Sequence, residues 1–162
     1  MSEINFLVLD IDGTLTDGKI YMAVGGEVLK AFNIKDGCGI VDVLPRKKIV
    51  PVVITGRSSK IVSNRCVELG IKYVFQGERN KLACLRKFID GYNAEFGTEY
   101  SLKSVAYIGD DLPDLFCMEA VKTAGGIAAC PADAVIEVKE LCDFISSKNG
   151  GDGAVRDLID WL

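Results

Sequence analysis

The sequence contains no histidine, and it has only one tryptophan, three methionines and four prolines among 162 residues. A chain without histidine has neither a Ser-His-Asp nor a Cys-His catalytic group, and it has no imidazole to bind a metal ion. Acid–base chemistry in this protein therefore depends on carboxylates, lysine or tyrosine.

Cysteine is present, but not in a pattern that binds zinc. The six cysteines include no Cys-x-x-Cys pair and have no histidine to complete a tetrahedral site. Cys117 stands between Phe116 and Met118, where a cysteine is expected to pack as a small buried side chain. We expect reduced thiols at all six positions: 38, 66, 84, 117, 130 and 142.

The chain has neither a large excess of charge nor a long apolar run. Its net charge is −4, and the longest basic run, Arg46-Lys47-Lys48, is expected to be a solvated turn, so nucleic acid is not a predicted partner. No segment approaches the ~20 apolar residues that cross a bilayer, so no membrane partner is predicted either. The N-terminal MSEINFLVLDID lacks the charged flank and cleavage site of a signal peptide, which predicts a cytoplasmic location.

Apolar runs and helix-length segments alternate along the chain, which predicts a single α/β domain over residues 1–162 with a doubly wound, mainly parallel sheet. The predicted strands are short runs rich in β-branched residues: Asn5–Leu9, Ile49–Ile54, Tyr73–Phe75, Val105–Ile108 and, more weakly, Thr123–Ile127. The predicted helices have apolar residues spaced by three and four: Gly39–Lys47, Ser59–Leu69, Asn80–Phe96 and Asp111–Val121. The loops after the strands should meet at one edge of the sheet, where such folds bind ligands.

Residues 18–33 interrupt this alternation. Two strand-like stretches, Lys19–Met22 and Glu27–Phe32, flank Gly25-Gly26, a turn signal that predicts a β-hairpin inserted after the first strand. The hairpin lies close enough to the first loop to act as a cap or as an oligomer contact. A second glycine-rich segment, Gly150–Gly153, precedes a short final helix.

Carboxylates cluster where two of the predicted strands end. Asp10 and Asp12 follow the first strand, and their spacing would place two like charges on one side of an extended chain. Asp110, Asp111 and Asp114 follow a later strand. Each cluster alone would suit a turn or a helix cap equally well. Together they favour a loop that binds a hard, oxygen-ligated cation.

A third strand end and a lysine complete a set of groups suited to phosphoryl transfer: Thr55-Gly56-Arg57 and Lys81. Negative charge on the phosphate oxygens requires a cation, a hydroxyl with backbone amides and an ammonium group around them. The pair Gly13-Thr14 adds backbone amides suited to an anion nest. Gly13, Thr14 and Gly56 are therefore candidates to bind the phosphate.

These segments resemble motifs I to IV of the haloacid dehalogenase superfamily, in the same order over residues 10–114: DxDGT, a strand ending in TGR, a spaced lysine and GDDxxD. The resemblance implies a phosphatase with a Rossmann-like core in which Asp10 is the nucleophile that forms an aspartyl-phosphate. It implies that Asp12 protonates the leaving oxygen and later activates water. Thr55 then hydrogen-bonds the phosphate, and Lys81 pairs with both the phosphate and the nucleophile.

The same resemblance implies a magnesium cofactor held by the Asp10 carboxylate, the backbone carbonyl of Asp12 and the Asp110 carboxylate. Asp111 is implied either as a close second ligand or as a residue that contacts the ligands without binding the metal itself. Asp114 has two alternative roles. It is either a further ligand or an acid in the first turn of a helix, where it interacts with the helix dipole.

The spaces between the motifs are too short for a large cap domain. Residues 16–39 contain only the hairpin, and residues 55–81 contain one helix and one strand. Capless chains of this size resemble the 3-deoxy-D-manno-octulosonate 8-phosphate phosphatases and the related nine-carbon sialic-type sugar phosphatases. Local matches to that subgroup run almost end to end: Thr16-Asp17-Gly18, Phe32–Gly37, Asn64-Arg65-Cys66, Phe75-Gln76-Gly77 and Gly150–Arg156. The resemblance implies a homotetramer in lipopolysaccharide biosynthesis, with neighbouring subunits covering the active site.

Three arginines are candidates to bind an acidic sugar. Arg57 lies just beyond the phosphate-binding threonine, and its planar fork suits a carboxylate. Arg65 follows about two helical turns later on roughly the same face, although an arginine on a helix is commonly just solvated. Arg156 is the third, with an exposed position on the final helix as the alternative. In the subgroup the eight-carbon phosphatases tend to carry arginine at the position of Arg57 and the nine-carbon ones an acid. This favours 3-deoxy-D-manno-octulosonate 8-phosphate as the substrate.

Other functions stay open on the residues alone. The chain could act on a nine-carbon sugar acid 9-phosphate or on a broader range of small phosphate esters. It could also be a non-catalytic regulatory module, but relatives without activity usually lose one motif I acid, and both Asp10 and Asp12 are present. A phosphomutase normally needs a cap to retain the sugar, and no cap is predicted.

Overall fold

The computed structural model describes residues 4–162, so residues 1–3 of the predicted domain lie outside the described part of the chain. A sheet of six parallel strands forms the centre of the fold, and a separate two-stranded hairpin follows its first strand. The strands are β1 (Phe6–Leu9), β2 (Tyr21–Ala23), β3 (Gly26–Leu29), β4 (Val50–Thr55), β5 (Tyr73–Gln76), β6 (Val105–Ile108), β7 (Ile127–Cys130) and β8 (Phe144–Ile145). In the sheet they lie in the order β5-β4-β1-β6-β7-β8.

Helices connect the strands of the sheet. The α-helices are α1 (Ile34–Cys38), α2 (Leu44–Lys47), α3 (Lys60–Glu68), α4 (Lys81–Phe96), α5 (Leu112–Thr123), α6 (Ile136–Leu141) and α7 (Ala154–Trp161). A π-helical segment, Gly39–Val43, joins α1 to α2, and a 3-10 turn, Leu102–Ser104, precedes β6. None of the helices within residues 4–162 has the length and apolarity needed to cross a bilayer.

The two faces of the sheet form two separate cores. In β1, Phe6 and Val8 belong to one core and Leu7 and Leu9 to the other, as expected of a strand that is buried on both sides. Helices α4, α5 and α6 cover the first face, and the segment from α1 to α2 together with α3 and α7 covers the second. The predicted doubly wound α/β architecture is therefore confirmed.

The inserted hairpin is also confirmed. Strands β2 and β3 pair in antiparallel register within the predicted range, and an additional bridge joins Thr16 to Phe32 at the base of the hairpin. Residues 4–162 contain no large cap domain, as predicted. The hairpin leaves several apolar side chains exposed: Met22, Val24, Val28 and Leu29.

The segment after β6 departs from the sequence prediction. The strand predicted over Thr123–Ile127 is instead β7, because α5 continues to Thr123 and a turn at Gly125-Gly126 follows it. Neither α6 nor β8 was predicted, since both are too short to show a clear hydrophobic period. The prediction of a short final helix is confirmed by α7.

The helix predicted from Gly39 begins earlier, at Ile34. Asn33 caps it, because its side-chain oxygen accepts a hydrogen bond from the Lys35 amide at 2.8 Å. Inside α1, the buried carboxylate of Asp36 accepts a hydrogen bond from the Arg156 amide at 2.8 Å. This long-range contact ties α1 to the N-terminal end of α7.

Candidate active site

Three neighbouring strands bring the motif residues to one edge of the sheet. β1 lies between β4 and β6, and the register places Leu9 beside Val53 on one side and Ile108 on the other. Asp10 directly follows β1, and Thr55 is the last residue of β4. The carboxyl ends of these parallel strands meet, as predicted for a ligand site in this class of fold.

A cleft of about 240 Å³ opens between these strand ends. Its lining contains most of the residues predicted to form the site: Asp10, Asp12, Thr55, Gly56, Arg57, Lys81, Asp110, Asp111, Pro113 and Asp114. A larger cleft, of about 520 Å³, lies between β5 and α4 and is lined mainly by apolar side chains that belong to none of the motifs. The chemistry of the lining, rather than its size, therefore identifies the smaller cleft as the candidate active site.

Lys81 joins the two carboxylate clusters. It is the first residue of α4, where Asn80 caps the helix by accepting a hydrogen bond from the Ala83 amide. The buried Lys81 ammonium lies 2.8 Å from Asp10 Oδ1 and 2.7 Å from Asp114 Oδ1. Burial alone would lower the pKa of Lys81, but the two carboxylates outweigh it and raise the pKa, so the lysine carries its charge.

Asp114 is a buried organising residue of the site. Its Oδ1 also accepts a hydrogen bond from the Tyr107 hydroxyl at 2.8 Å, and its Oδ2 accepts from the amides of Asp110 and Asp111 at 3.3 and 3.5 Å. Asp114 is at the same time an acid in the first turn of α5 and part of its capping box with Asp111. The structure therefore shows the role of a first-turn acid, and the role of a metal ligand stays a prediction.

A cation site fits the acids at the base of the cleft. Carboxylate oxygens of Asp10, Asp110 and Asp114 lie within 4.8 Å of one another. Hard cations such as Mg²⁺ take carboxylate oxygens as ligands, and the three acids outnumber Lys81, the buried lysine that contacts Asp10 and Asp114. Both oxygens of Asp114 already accept hydrogen bonds, so Asp10 and Asp110 are the more available ligands.

Asp111 lies outside this cluster. Its side chain is exposed at the start of α5, where it accepts a hydrogen bond from the Leu112 amide at 2.7 Å. The geometry thus supports Asp111 as a helix cap that borders the cleft. Its assignment as a second magnesium ligand stays a prediction, as does the use of the Asp12 carbonyl.

Asp10 and Asp110 hold protons more strongly than isolated carboxyl groups, because their pKa values are raised. Burial, with a smaller contribution from neighbouring Asp114, raises the pKa of Asp10 to about 7 against the opposing effect of Lys81. Burial and the nearby Asp10 and Asp114 raise the pKa of Asp110 to about 8. A bound cation would remove this cost by compensating the crowded negative charge.

Magnesium binding is expected to tighten as the pH rises. Protons compete with the metal for Asp10 and Asp110 until the pH passes the raised pKa values of about 7 and 8. The affinity should increase at least about tenfold between about pH 6 and pH 8, and each binding event should release protons. Isothermal titration calorimetry in two buffers of different ionisation enthalpy measures both quantities. An affinity that is constant over this range, with no proton release, would contradict the expectation.

The loop after β1 approaches the Asp110 carboxylate closely at Gly13. Gly13 has a φ of +91°, and a Cβ at this position would stand 2.0 Å from Asp110 Oδ2. The neighbouring hydroxyl of the buried Thr14 donates a hydrogen bond to Asp110 Oδ1 at 3.3 Å. Gly13 and Thr14 therefore restrict the position of the Asp110 carboxylate. Their predicted contact with phosphate stays a prediction.

Replacing Gly13 with alanine is expected to reduce phosphatase activity at least about 100-fold. The new methyl group would displace Asp110, and the positive φ would strain the backbone by about 1–2 kcal/mol. Gly91→Ala is a suitable control, because a Cβ there meets no atom within 4 Å. The two variants are compared by kcat/KM and by magnesium affinity. Equal activity and equal metal affinity in both variants would show that the close approach has no functional role.

The hairpin contributes two charged residues that belong to none of the four motifs. The side chain of Lys30, which has an exposed fraction of 0%, forms ion pairs with Asp12 and with Glu27. The Ser59 hydroxyl donates a hydrogen bond to the second oxygen of Glu27. Only the position of the hairpin directly after the first motif could have indicated this contact from the sequence.

Arg57 borders the cleft beside these charges. Its side chain has an exposed fraction of 54%, and its guanidinium lies 3.8 Å from Asp12 Oδ2 and 3.9 Å from Glu27 Oε1. Gly56 also borders the cleft, with open space above its Cα. Both residues line the cleft, and their predicted contact with substrate stays a prediction.

Arg65 and Arg156 do not line the cleft. Arg65 pairs with Glu68 at 2.9 Å and lies over the ring of Phe32 at 5.6 Å. Arg156 pairs through its side chain with Asp160 at 2.8 Å on the surface of α7. Within one chain both arginines pair with acidic residues outside the cleft. Their predicted contact with substrate stays a prediction.

Comparisons with known proteins agree on one group of relatives, although no family model matches the chain. Over 159 residues the chain is 41% identical to the 3-deoxy-D-manno-octulosonate 8-phosphate phosphatase KdsC of Escherichia coli strain K12, an alignment that covers 98% of this chain and 79% of the relative. The phosphatase of the same name from Yersinia pestis is 36% identical over 161 residues, covering 99% of this chain and 80% of the relative.

Solved structures show the same similarity. The 3-deoxy-D-manno-octulosonate 8-phosphate phosphatase of Moraxella catarrhalis, in complex with magnesium, phosphate and KDO, is 36% identical with a TM-score of 0.84, covering 99% of this chain and 86% of that one. The cobalt-bound deoxy-D-mannose-octulosonate 8-phosphate phosphatase of Haemophilus influenzae is 34% identical with a TM-score of 0.87, covering 99% and 87% of the two chains.

Proposed function

The chain belongs to the 3-deoxy-D-manno-octulosonate 8-phosphate phosphatases of the haloacid dehalogenase superfamily, and from this membership we propose that it hydrolyses 3-deoxy-D-manno-octulosonate 8-phosphate with the help of magnesium. The observation that carries the proposal is the Asp10 carboxylate, which lies at the end of β1 in contact with Lys81 and within reach of a cation held by Asp110. A related phosphatase binds magnesium, phosphate and KDO together.

The reaction proceeds in two steps on the side chains of this protein. In the first, a carboxylate oxygen of Asp10 attacks phosphorus, the bond from phosphorus to the sugar oxygen breaks, and Asp12 gives its proton to that oxygen. In the second, Asp12 takes a proton from water, whose oxygen attacks phosphorus and releases phosphate from Asp10. Magnesium, for which Asp10 and Asp110 are the candidate ligands, would compensate negative charge on the phosphate oxygens and on Asp10.

Lys81 and Thr55 hold the reacting groups in place. Lys81 holds the Asp10 carboxylate in place through an ion pair with its Oδ1. Thr55, which is buried at the end of β4, is the candidate to hydrogen-bond the phosphate through its hydroxyl. The positive charge of Lys81 also stabilises the charge that the phosphate gains in the transition state.

Arg57 supports an acidic sugar as the substrate. Its exposed guanidinium at the mouth of the cleft can bind a carboxylate through two parallel hydrogen bonds. A nine-carbon sugar acid 9-phosphate has the same two charged ends and is the second candidate. The chain retains both Asp10 and Asp12, which argues against a non-catalytic module.

A substrate panel tests this proposal. We expect kcat/KM for 3-deoxy-D-manno-octulosonate 8-phosphate to exceed that for the nine-carbon 9-phosphate by at least about tenfold, which corresponds to roughly 1.4 kcal/mol of discrimination. Neutral sugar phosphates of similar size serve as controls for the contribution of the carboxylate. Weak turnover of both sugar acids would refute the narrow substrate assignment.

The open cleft and the apolar hairpin support an assembly of several chains. We infer a homotetramer in which neighbouring chains cover the cleft and the exposed hairpin residues Met22, Val24, Val28 and Leu29 become buried. Such an enzyme would work in the cytoplasm and supply the sugar acid for lipopolysaccharide. Light scattering after size-exclusion chromatography tests the assembly, with Val24→Asp and Val28→Asp as variants that should dissociate it. A monomeric wild-type chain would refute it.

A further inference from the structure

The hairpin ion pair between Lys30 and Asp12 is not explained by the fold alone. Lys30 lies at the end of the second hairpin strand, and its side chain is fully buried between the carboxylates of Asp12 and Glu27. Burying an ammonium group is costly unless opposite charges surround it. An apolar side chain would fill this place at lower cost, so the retained charge indicates a role at Asp12.

The two oxygens of the Asp12 carboxylate have different partners. Oδ1 accepts a hydrogen bond from Lys30, whereas Oδ2 lies 3.8 Å from the Arg57 guanidinium, which lines the cleft. Lys30 thus occupies one oxygen and fixes the torsion of the side chain. The other oxygen is left on the side of the cleft, where a proton can be exchanged with substrate or water.

Glu27 holds Lys30 in turn. Its Oε1 lies 2.8 Å from the Lys30 ammonium, and its Oε2 accepts a hydrogen bond from the Ser59 hydroxyl. Ser59 directly precedes α3, in the same loop as Arg57. The hairpin is therefore tied both to the loop after β1 and to the loop after β4, the two loops that carry the proton-transfer and phosphate-binding residues.

From this geometry we propose that Lys30 is a positioning residue that orients the Asp12 carboxylate for proton transfer to and from the leaving oxygen, with Glu27 as its anchor. The proposal rests on the phosphatase function proposed above. It gives the hairpin a role within its own chain, in addition to any contact between chains. No bond to Lys30 forms or breaks, because the proton moves between Asp12 and the substrate oxygen or water.

The test uses leaving groups that differ in their need for a proton. An alkoxide must be protonated as it leaves a sugar phosphate, whereas p-nitrophenolate leaves as a stable anion. Lys30→Met keeps the length of the side chain and removes its charge. We expect kcat/KM for the sugar phosphate to fall about 30-fold or more, since general acid catalysis contributes about 10²–10⁴-fold. For p-nitrophenyl phosphate we expect a decrease of less than about threefold.

Lys19→Met is the matched control, because it removes an exposed lysine from the same insertion. It should leave both rates unchanged. The second comparison is Lys30→Met in an Asp12→Asn background. If Lys30 acts through Asp12, Lys30→Met should reduce activity in the wild type but cause no further loss of activity in the Asp12→Asn variant. If Lys30→Met fails to fold, Glu27→Gln is the test variant. We expect it to lower kcat/KM for the sugar phosphate about fivefold or more and to leave kcat/KM for p-nitrophenyl phosphate nearly unchanged.

The outcomes separate this inference from the proposed function. An equal loss on both substrates, no loss on either, or full additivity with Asp12→Asn would overturn the role of Lys30. If the wild type prefers the nine-carbon sugar acid, the substrate proposal fails, and the same comparison on that ester still tests Lys30. A wild type that cleaves p-nitrophenyl phosphate and neither sugar phosphate overturns both, because no positioned acid is then required.

Discussion

The Asp10→Asn variant is expected to lose phosphate release by more than about 10⁴-fold, as is typical when a catalytic nucleophile is removed. Asparagine has nearly the same shape as aspartate, but its amide is not an effective nucleophile toward phosphorus. The fold should be unaffected, because Lys81 retains its ion pair with Asp114. The substitution also removes one member of a crowded group of acids, which favours the folded state.

Phosphate release and thermal unfolding of the same preparation test this expectation. Asp90→Asn, an exposed position on α4, is the matched control and should retain full activity. If Asp10→Asn keeps magnesium-dependent turnover while folded, Asp10 is not the nucleophile. Recovery of activity over hours would instead indicate deamidation of the asparagine, and mass spectrometry distinguishes the two cases.

Removal of divalent metal is expected to lower the rate by at least about 10³-fold, with full recovery when magnesium is restored. Without a cation, a phosphate ester enters a cleft that already contains Asp10, Asp110 and Asp114. At neutral pH a substantial fraction of Asp10 would also be protonated, because burial raises its pKa to about 7. Both effects oppose attack on phosphorus.

Exhaustive chelation followed by titration with magnesium measures this dependence. The unfolding temperature of the metal-free protein is the control, since loss of the fold would also abolish activity. Asp10, Asp110 and Asp114 belong to neither of the two hydrophobic cores, so the chelated protein should remain folded. A rate that is unchanged after chelation would show that the acid cluster works without a cation.

The acids at the strand ends illustrate which parts of the site can be predicted. Asp10 and Asp110 follow buried parallel strands, and such strands end at a common edge. Their convergence therefore follows from the strand pattern without knowledge of any contact. The roles of Lys81 and Thr55 needed the resemblance to a known family, because an isolated lysine or threonine has no pattern of its own.

The fold shows a similar division. β1, β4, β5 and β6 have clear apolar runs, whereas β7 is Ile-Ala-Ala-Cys, whose small side chains give little strand signal. The sequence pattern does not indicate the start of α1, because Gly37 lowers its helix propensity. Its stability comes from the Asn33 cap and from Asp36, whose partner amide at Arg156 is distant in the sequence.

The sequence by itself determined the fold class and the set of phosphatase motifs, because these depend on local periodicity and on the order of residues along the chain, and the resemblance to a known family supplied the prediction that Asp10 is the nucleophile. Only the tertiary structure decided that Asp114 is buried among hydrogen-bond donors, that Asp111 caps a helix, and that Lys30 contacts Asp12. Each of these depends on which charges become neighbours after folding. Burial and partner distance set the energy of an ionised group, and neither is recorded in the order of residues.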